Sequence, residues 1–311
     1  MKHYAFIDYA TQGYITLVGL LILGFQGRNV KGWGWILLAH AVLLVLIHLL
    51  IQAHARWPGY RLLSFLRQCY PILCYTGFYG ESGFLNQMLF QGYLDAGFLR
   101  LERRLFGWQP GIELMERFPQ RWIAELLYLA YFSYYAMIAG VGLALFFRNR
   151  AQFQHYLAVV SCVFYACYLA YIFTPVVGPR ILTRGVVPDP PLEAAGYTAT
   201  PTVPPTVESA ATYQLMLFIY NHFETPGAAF PSSHVAIALT TLYFSFLYLP
   251  RIRWLHLTLA VLLCIATVYG RYHYVLDVPA GMLTAALLIP LANRLYARFT
   301  PPADRLAAAP G

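Results

Sequence analysis

Charge is scarce in this chain. Only 11% of its 311 residues are Asp, Glu, Lys or Arg, against about a quarter in soluble domains, so an ordinary water-facing surface cannot be assembled from them. Lysine is nearly absent, with Lys2 and Lys31 standing against 19 arginines, and the arginines are dispersed between apolar runs. That dispersal argues against a nucleic-acid partner despite the net charge of +8, because it suits span-end anchors and phosphate binders instead of one basic face. The cysteines are odd in number (Cys69, Cys74, Cys162, Cys167 and Cys264) and lack the paired spacing of a zinc site, which leaves packing thiols. Also missing is the small-residue cleavage pattern of a removable signal peptide. Asp8, Thr11 and Gln12 stand in the first apolar run, so that span is expected to stay.

What the chain does have is apolar length. Hydrophobic residues make up 59% of it and the mean hydropathy is +0.54. A span needs about 20 apolar residues to cross a hydrocarbon core of about 30 Å. Runs near 12–26, 33–53, 121–147, 155–177, 231–249, 254–270 and 273–296 qualify or nearly do, predicting an all-α, polytopic integral membrane helical bundle of about 7–8 spans. Residues 60–80 contain Arg61, Arg67, Pro71 and Gly77, and read either as an eighth crossing or as a re-entrant or interfacial helix.

Residues 81–121 interleave five acids and five arginines with Leu, Phe and Trp at helical spacing, the pattern of an amphipathic segment at the interface. Their charges are expected to form a solvated face. Residues 181–210 hold Pro188, Pro190, Pro191, Pro201, Pro204 and Pro205, which predicts an extended loop. The expected organisation is therefore N-terminal spans plus interfacial segment over 1–120, a membrane core over 121–299 with an outward loop at 178–230, and a cytoplasmic tail at 300–311. Arg148, Arg150, Arg251, Arg253, Arg294, Arg298 and Arg305 fall at alternate ends of the last four spans. The positive-inside rule puts that face in the cytoplasm and the opposite, Pro-rich face outside, which in a cell inner membrane is the extracytoplasmic side.

Polar clusters gather at the outward span ends: "TPVVGPR" (174–180), "FPSSHVA" (230–236) and "GRYHYVLDVPAG" (270–281). A span running inward from His234 and another returning to Arg271 bring His234, His273 and Arg180 to one membrane face. His273 and Asp277 are four apart, so on a helix the carboxylate accepts the Nδ1 hydrogen and leaves Nε2 as a lone-pair nucleophile. Pro231 suits a first helical position, and the amides that follow, with Ser232 and Ser233, suit a phosphate. His234 is then placed to protonate a leaving alkoxide, while Arg180 and Arg271 offer planar forks to phosphoryl oxygens.

Together these motifs resemble the three-part signature of the type 2 phosphatidic acid phosphatase superfamily over roughly 155–290. That signature is a motif ending in Arg-Pro, a Pro-Ser-Gly-His motif and a Ser-Arg-x5-His-x3-Asp motif. The resemblance implies a six-helix core with extra N-terminal helices and metal-independent chemistry without a cofactor. It also implies a phosphohistidine on His273 oriented by Asp277, with His234 as general acid and Arg180, Ser232, Ser233 and Arg271 as phosphate binders.

The chain departs from the signature where Phe173 replaces a lysine, Ile181 the closing proline, Ser233 the glycine, and Thr267 the arginine. On a continuing helix Thr267 and Arg271 would share a face, so Arg271 is expected to serve from one turn on. The compact "RYHYVLD", the "GPR" end and the upstream "DAGFLRLERRLFGWQP" (95–110) resemble the inositol phosphorylceramide synthase-like, inositolphosphotransferase branch.

The resemblance implies membrane lipid substrates and an acceptor that is either an alcohol or water. The motifs do not choose between headgroup transferase and lipid phosphate phosphatase, and they leave oligomeric state open; the branch features favour the transferase. A transporter is the rival from another class, although no repeat is visible and the polar clusters sit at span ends. His40, His48, His155 and His256 are expected to be packed and hydrogen-bonded. Tyr269, Tyr272 and Tyr274 are expected in an interfacial belt, and Glu125 is expected to pair with Arg121.

Overall fold

Helices form wherever the sequence offers a long apolar run, and one-residue or few-residue breaks fold them back on each other. The computed structural model describes residues 3–25, 30–184, 197, 201–223 and 225–309. The helices are α1 Phe6–Phe25, α2 Trp33–Arg56, α3 Arg61–Leu85, α4 Asp95–Phe106, α5 Pro110–Arg117, α6 Arg121–Arg148 and α7 Arg150–Phe173. They continue with α8 Pro179–Thr183, α9 Pro205–Glu208, α10 Ala211–Phe223, α11 Ser233–Tyr248, α12 Arg253–Tyr269, α13 Asp277–Phe299 and α14 Pro302–Ala307. Among the described residues there is no strand, only an isolated bridge between Val176 and Ala228.

Five helices are long and apolar enough to cross a bilayer: α1, α2, α6, α7 and α13; α11 and α12 are shorter and apolar. Large apolar side chains such as Leu38, Val45, Leu49, Leu143, Val261, Leu283 and Leu287 are exposed on their outer faces. A belt of that kind belongs in lipid, since water-soluble monomers rarely expose contiguous apolar patches beyond a few hundred Å². The chain is an integral membrane protein.

Buried α7 is the mast of the bundle, packing against α1, α3, α6, α11 and α13. It follows α6 after a single residue because Asn149 caps it, its side chain accepting the amides of Ala151 (2.9 Å) and Gln152 (3.2 Å). Residues 60–80 resolve as part of α3, continuous through Pro71. It runs parallel to α7, as Tyr75 meets Phe164 and Tyr79 meets Tyr168 in step. Its buried Arg67 is salt-bridged to Asp8 of α1, whose other oxygen accepts Tyr70 Oη at 2.7 Å.

Three expectations change. The segment 81–121 is not one amphipathic stretch, because Gly107 at φ 75 ends α4 and Pro110 opens α5 in a new direction. The segment expected as an outward loop carries the 13-residue α10, which packs on α6; Glu125 caps it by accepting Ala211 N (2.8 Å) and Thr212 N (3.1 Å). The Arg121 pair of Glu125 is also present, at 3.6 Å. Pro188, Pro190 and Pro191 lie outside the described residues. Third, α12 stops at Tyr269 and α13 starts at Asp277, so 270–276 is a turn instead of helix.

Of the four histidines away from the polar cluster, His40, His155 and His256 are packed beside polar partners as expected, whereas His48 is exposed and only hydrogen-bonded. His155 lies between Tyr248 Oη (2.7 Å) and Asn293 Oδ1 (2.6 Å), His256 between Thr241 and Ser245, His48 on Tyr4, and His40 2.7 Å from Glu81. All five cysteines are free.

Candidate active site

The turn between α12 and α13 is held open by one strained residue. Arg271 has φ 62, a left-handed conformation that costs a non-glycine residue about 1 kcal/mol or more. The reversal lets the amides of Tyr272 and His273 both bond back to Thr267 O at 3.1 Å. Thr267 and Arg271 therefore do not share a helix face. The Arg271 side chain anchors the turn: Nε donates to Ile112 O (3.0 Å), Nη1 to Pro201 O (3.3 Å), and Nη2 to Thr202 O (3.2 Å) and Glu116 Oε1 (2.8 Å). Every guanidinium nitrogen is engaged by the protein, so the geometry gives Arg271 the part of a strut and does not bring it to a phosphate.

His273 leaves this turn with its ring fixed at both nitrogens. Nδ1 lies 3.1 Å from Asp277 Oδ2, and Nε2 lies 3.3 Å from His234 Nδ1. The His–Asp contact does not depend on a helical turn. Asp277 is the first residue of α13, and its Oδ2 also accepts the Tyr274 amide at 2.9 Å, which fixes the carboxylate at the positive end of the helix. Exposure is 0% for Asp277 and 2% for His273, so the pair is shielded from water on every side that the protein covers.

His234 enters from α11, where Ser232 is the N-cap and accepts the Val235 amide at 3.3 Å. Pro231 thus lies before the cap, not at the first helical position. Ser232 is used by its own helix, while Ser233 and His234, in the first turn of α11 at the positive end of its dipole, both line the cavity described below. Gly281 of α13 allows that cap to sit close, since a Cβ there would lie 2.6 Å from Ser232 O.

His234 Nε2 bonds Tyr131 Oη at 3.0 Å, and Tyr131 in turn hydrogen-bonds Tyr220 of α10. Tyr272 stacks against both, 4.2 Å from the Tyr131 ring and 4.4 Å from that of Tyr220. Arg180 brings its guanidinium over Tyr220 (4.7 Å) and Tyr272 (5.7 Å), and its amide bonds Arg271 O at 2.6 Å. Arg180, His234, His273 and Asp277 thus converge around one aromatic stack. Tyr269, Tyr272 and Tyr274 are buried in this region and do not form an interfacial belt. Trp35, Trp122 and Trp254 are exposed on the bundle's outer surface.

The sequence reading missed two carboxylates. Asp95 and Glu102, expected on a solvated face, are both 0% exposed. Asp95 Oδ2 accepts Val177 N, and its Oδ1 accepts Gly178 N and Tyr274 Oη, at 3.0, 3.0 and 2.9 Å, tying the "GPR" motif to the "RYHY" motif. Gly178 (φ 83) makes the approach possible, because a Cβ would lie 2.6 Å from Tyr272 O. Glu102 Oε1 accepts Val275 N at 2.5 Å behind the His273 turn. A signal was present: Asp95, Leu99 and Glu102 fall at i, i+4 and i+7, so the acids share the face of a buried leucine.

Burial pushes the Glu102 carboxyl up from 4.5 to about 7, helped by the nearby Asp277 charge and opposed by the Val275 amide. A carboxyl raised in this way binds more protons folded than unfolded. Its contribution is complete below 4.5 and is lost as pH rises through about 7. The stability of the wild type relative to Glu102→Gln is expected to decline across that interval by about 1.4 kcal/mol per pH unit. Thermal unfolding of both proteins in detergent across the interval measures it, and a constant difference would refute the assignment.

An apolar cavity of about 770 Å³ ends at this site. It lies between α3 and α6, which both pack on α7. Its lining is aromatic and aliphatic along α3, α6 and α7, with Ser233, His234 and Tyr220 at one end.

No curated protein and no solved structure matches the chain significantly. Residues 96–291, more than half of the chain, match the model of the PAP2 superfamily, and the matched region begins at α4, upstream of the motifs, taking in Glu102 as well as the two histidines. The chain belongs to the PAP2 superfamily.

Proposed function

We propose that this protein moves a phosphoryl-type headgroup from a membrane lipid to an acceptor alcohol through a phosphohistidine on His273. Superfamily membership supports the coarser statement, a lipid-phosphate enzyme of the phosphatase or phosphotransferase type. The observation that supports the phosphohistidine is the His234–His273–Asp277 string, which is buried and meets, through His234, the polar end of an apolar cavity between α3 and α6.

In the first step the Nε2 lone pair of His273 forms a bond to phosphorus as the bond from phosphorus to the leaving oxygen breaks. His234 gives that oxygen its proton. In the second step the acceptor O–H loses its proton to His234, its oxygen bonds phosphorus, and the P–N bond returns its electrons to Nε2. A phosphorus poised for attack stands about 3 to 3.5 Å from Nε2, the distance His234 now keeps, so substrate displaces the His234 ring as it binds. Arg180 and the α11 amides balance charge on the equatorial oxygens.

The near-complete burial of His273 and the tyrosine rings beside His234 support an acceptor other than bulk water. Resemblance to the inositolphosphotransferase branch supports the same preference, and Asp95 and Glu102 of its upstream segment brace the site. The proposed setting is the extracytoplasmic face of a cell inner membrane, since Arg148, Arg150, Arg251, Arg253 and Arg298 flank the opposite ends of α6, α7, α11, α12 and α13.

The test supplies purified protein with phosphate-labelled phospholipids, with and without acceptor alcohols including inositol. Label is expected in a new phospho-product only when alcohol is present. Label released as inorganic phosphate in every condition would replace the transferase by a phosphatase.

A further inference from the structure

We infer that the cavity between α3 and α6 is a slot for one hydrocarbon chain of the lipid substrate, and that the Phe65–Phe146 ring pair at its far end limits the chain length. This rests on the reading that a lipid phosphate reacts at His273. The occupant follows from continuity: the slot is apolar along its length, and its polar end consists of Ser233 and His234. A molecule filling it must carry a polar head at the site and hydrocarbon below.

Aromatic rings cross the far end, Phe146 held from behind and Phe65 half exposed. The rings of Phe65 and Phe146 meet edge-on at 6.3 Å, Phe153 buttresses Phe146 at 5.1 Å, and the Arg150 guanidinium sits 3.1 Å from the Phe146 ring centroid. Along α6 the lining runs from Phe132 to Phe146, which at about 1.5 Å per residue is a depth of about 21 Å. Half of a hydrocarbon core is about 15 Å, so the chain is drawn past the bilayer midplane. An extended chain advances about 1.2 Å per bond, which allows about 17 bonds between the phosphate oxygen and the ring pair. Longer chains must bend out through the open side between α3 and α6.

Ala139 lines the slot midway and is exposed to it. Phenylalanine there raises the floor by about 10 Å without displacing packed atoms. Phosphatidic acids and phosphatidylinositols with paired saturated chains of about six to twenty carbons, in detergent micelles, give the length profile of KM. The lowest KM is expected to move to chains shorter by about eight bonds in Ala139→Phe, and to longer chains in Phe146→Ala, with smaller changes in kcat. A lipid phosphate with a diazirine at its chain end is expected to crosslink to the peptides holding Phe65 and Phe146.

Coincident length profiles in an active wild type and both variants would overturn the slot and leave the reaction standing. If no lipid is turned over but the diazirine still marks Phe65 or Phe146, the reaction fails and the slot stands. Crosslinks confined to other helices refute the slot whatever the activity.

Discussion

His273→Gln is expected to abolish turnover, lowering kcat by about 10⁴-fold or more, with no acid-labile phosphate bound to the protein. Losing a nucleophile removes the pathway itself, and losses of that size and above follow when one member of a cooperating set is deleted. Glutamine preserves bulk and polarity beside Asp277 Oδ2 and His234 Nδ1, where the imidazole now bonds at 3.1 and 3.3 Å, so the fold should survive. Its amide nitrogen has no free lone pair with which to attack phosphorus. The checks are single-turnover assays with labelled lipid and mass spectrometry of the trapped intermediate. Turnover within about tenfold of wild type would remove His273 from the reaction. Saturable lipid flux through liposomes that survives the change would favour a transporter.

Substitutions at Asp277 separate two jobs of one carboxylate. Asp277→Ala is expected to cost about 10⁴-fold in kcat, because both the orientation of His273 and the charge facing it are lost. Asp277→Asn is expected to cost less, about 10²-fold. The Tyr274 amide needs an acceptor at the Oδ2 position (2.9 Å), which keeps the amide oxygen there and so keeps the Nδ1–H tautomer of His273. What asparagine loses is the negative charge that balances a cationic phosphohistidine. Its NH₂ must then occupy the Oδ1 position, which has no hydrogen-bond partner among the described residues. That should destabilise the fold by about 1 to 3 kcal/mol. Comparing kcat and thermal midpoints across the three proteins measures both effects. Equal losses in the two variants would mean that charge contributes nothing beyond orientation.

Much of the bundle was legible because hydrocarbon imposes a simple rule, apolar length, and α1, α2, α6, α7 and α13 obey it, with α11 and α12 apolar but shorter. Where the rule weakens, reading fails. The charges and Pro71 of 60–80 left an eighth crossing and a re-entrant or interfacial helix both open, and only packing shows one helix continuous through Pro71, with Arg67 paired to Asp8 across the bundle. Interleaved acids and arginines in α4 looked amphipathic on either face, and only contacts to Val177, Gly178 and Val275, far along the chain, reveal which face is buried. Arg271 has the chemistry of a phosphate ligand, yet a left-handed turn directs it to Ile112, Pro201, Thr202 and Glu116.

Residue type and local spacing determined by themselves that this chain lies in a membrane and that His234, His273 and Asp277 share one end of it. Hydropathy and a four-residue separation are local quantities, and a bilayer fixes which ends coincide. Tertiary structure alone decided the rest: that Nε2 of His273 faces His234, that Arg180 joins the tyrosine stack while Arg271 anchors a turn, that two acids upstream brace the site, and that an apolar slot ends there. Each of these depends on the angle at which distant helices pack. A side chain's partners are chosen by that packing, and its chemistry only limits what the choice can be.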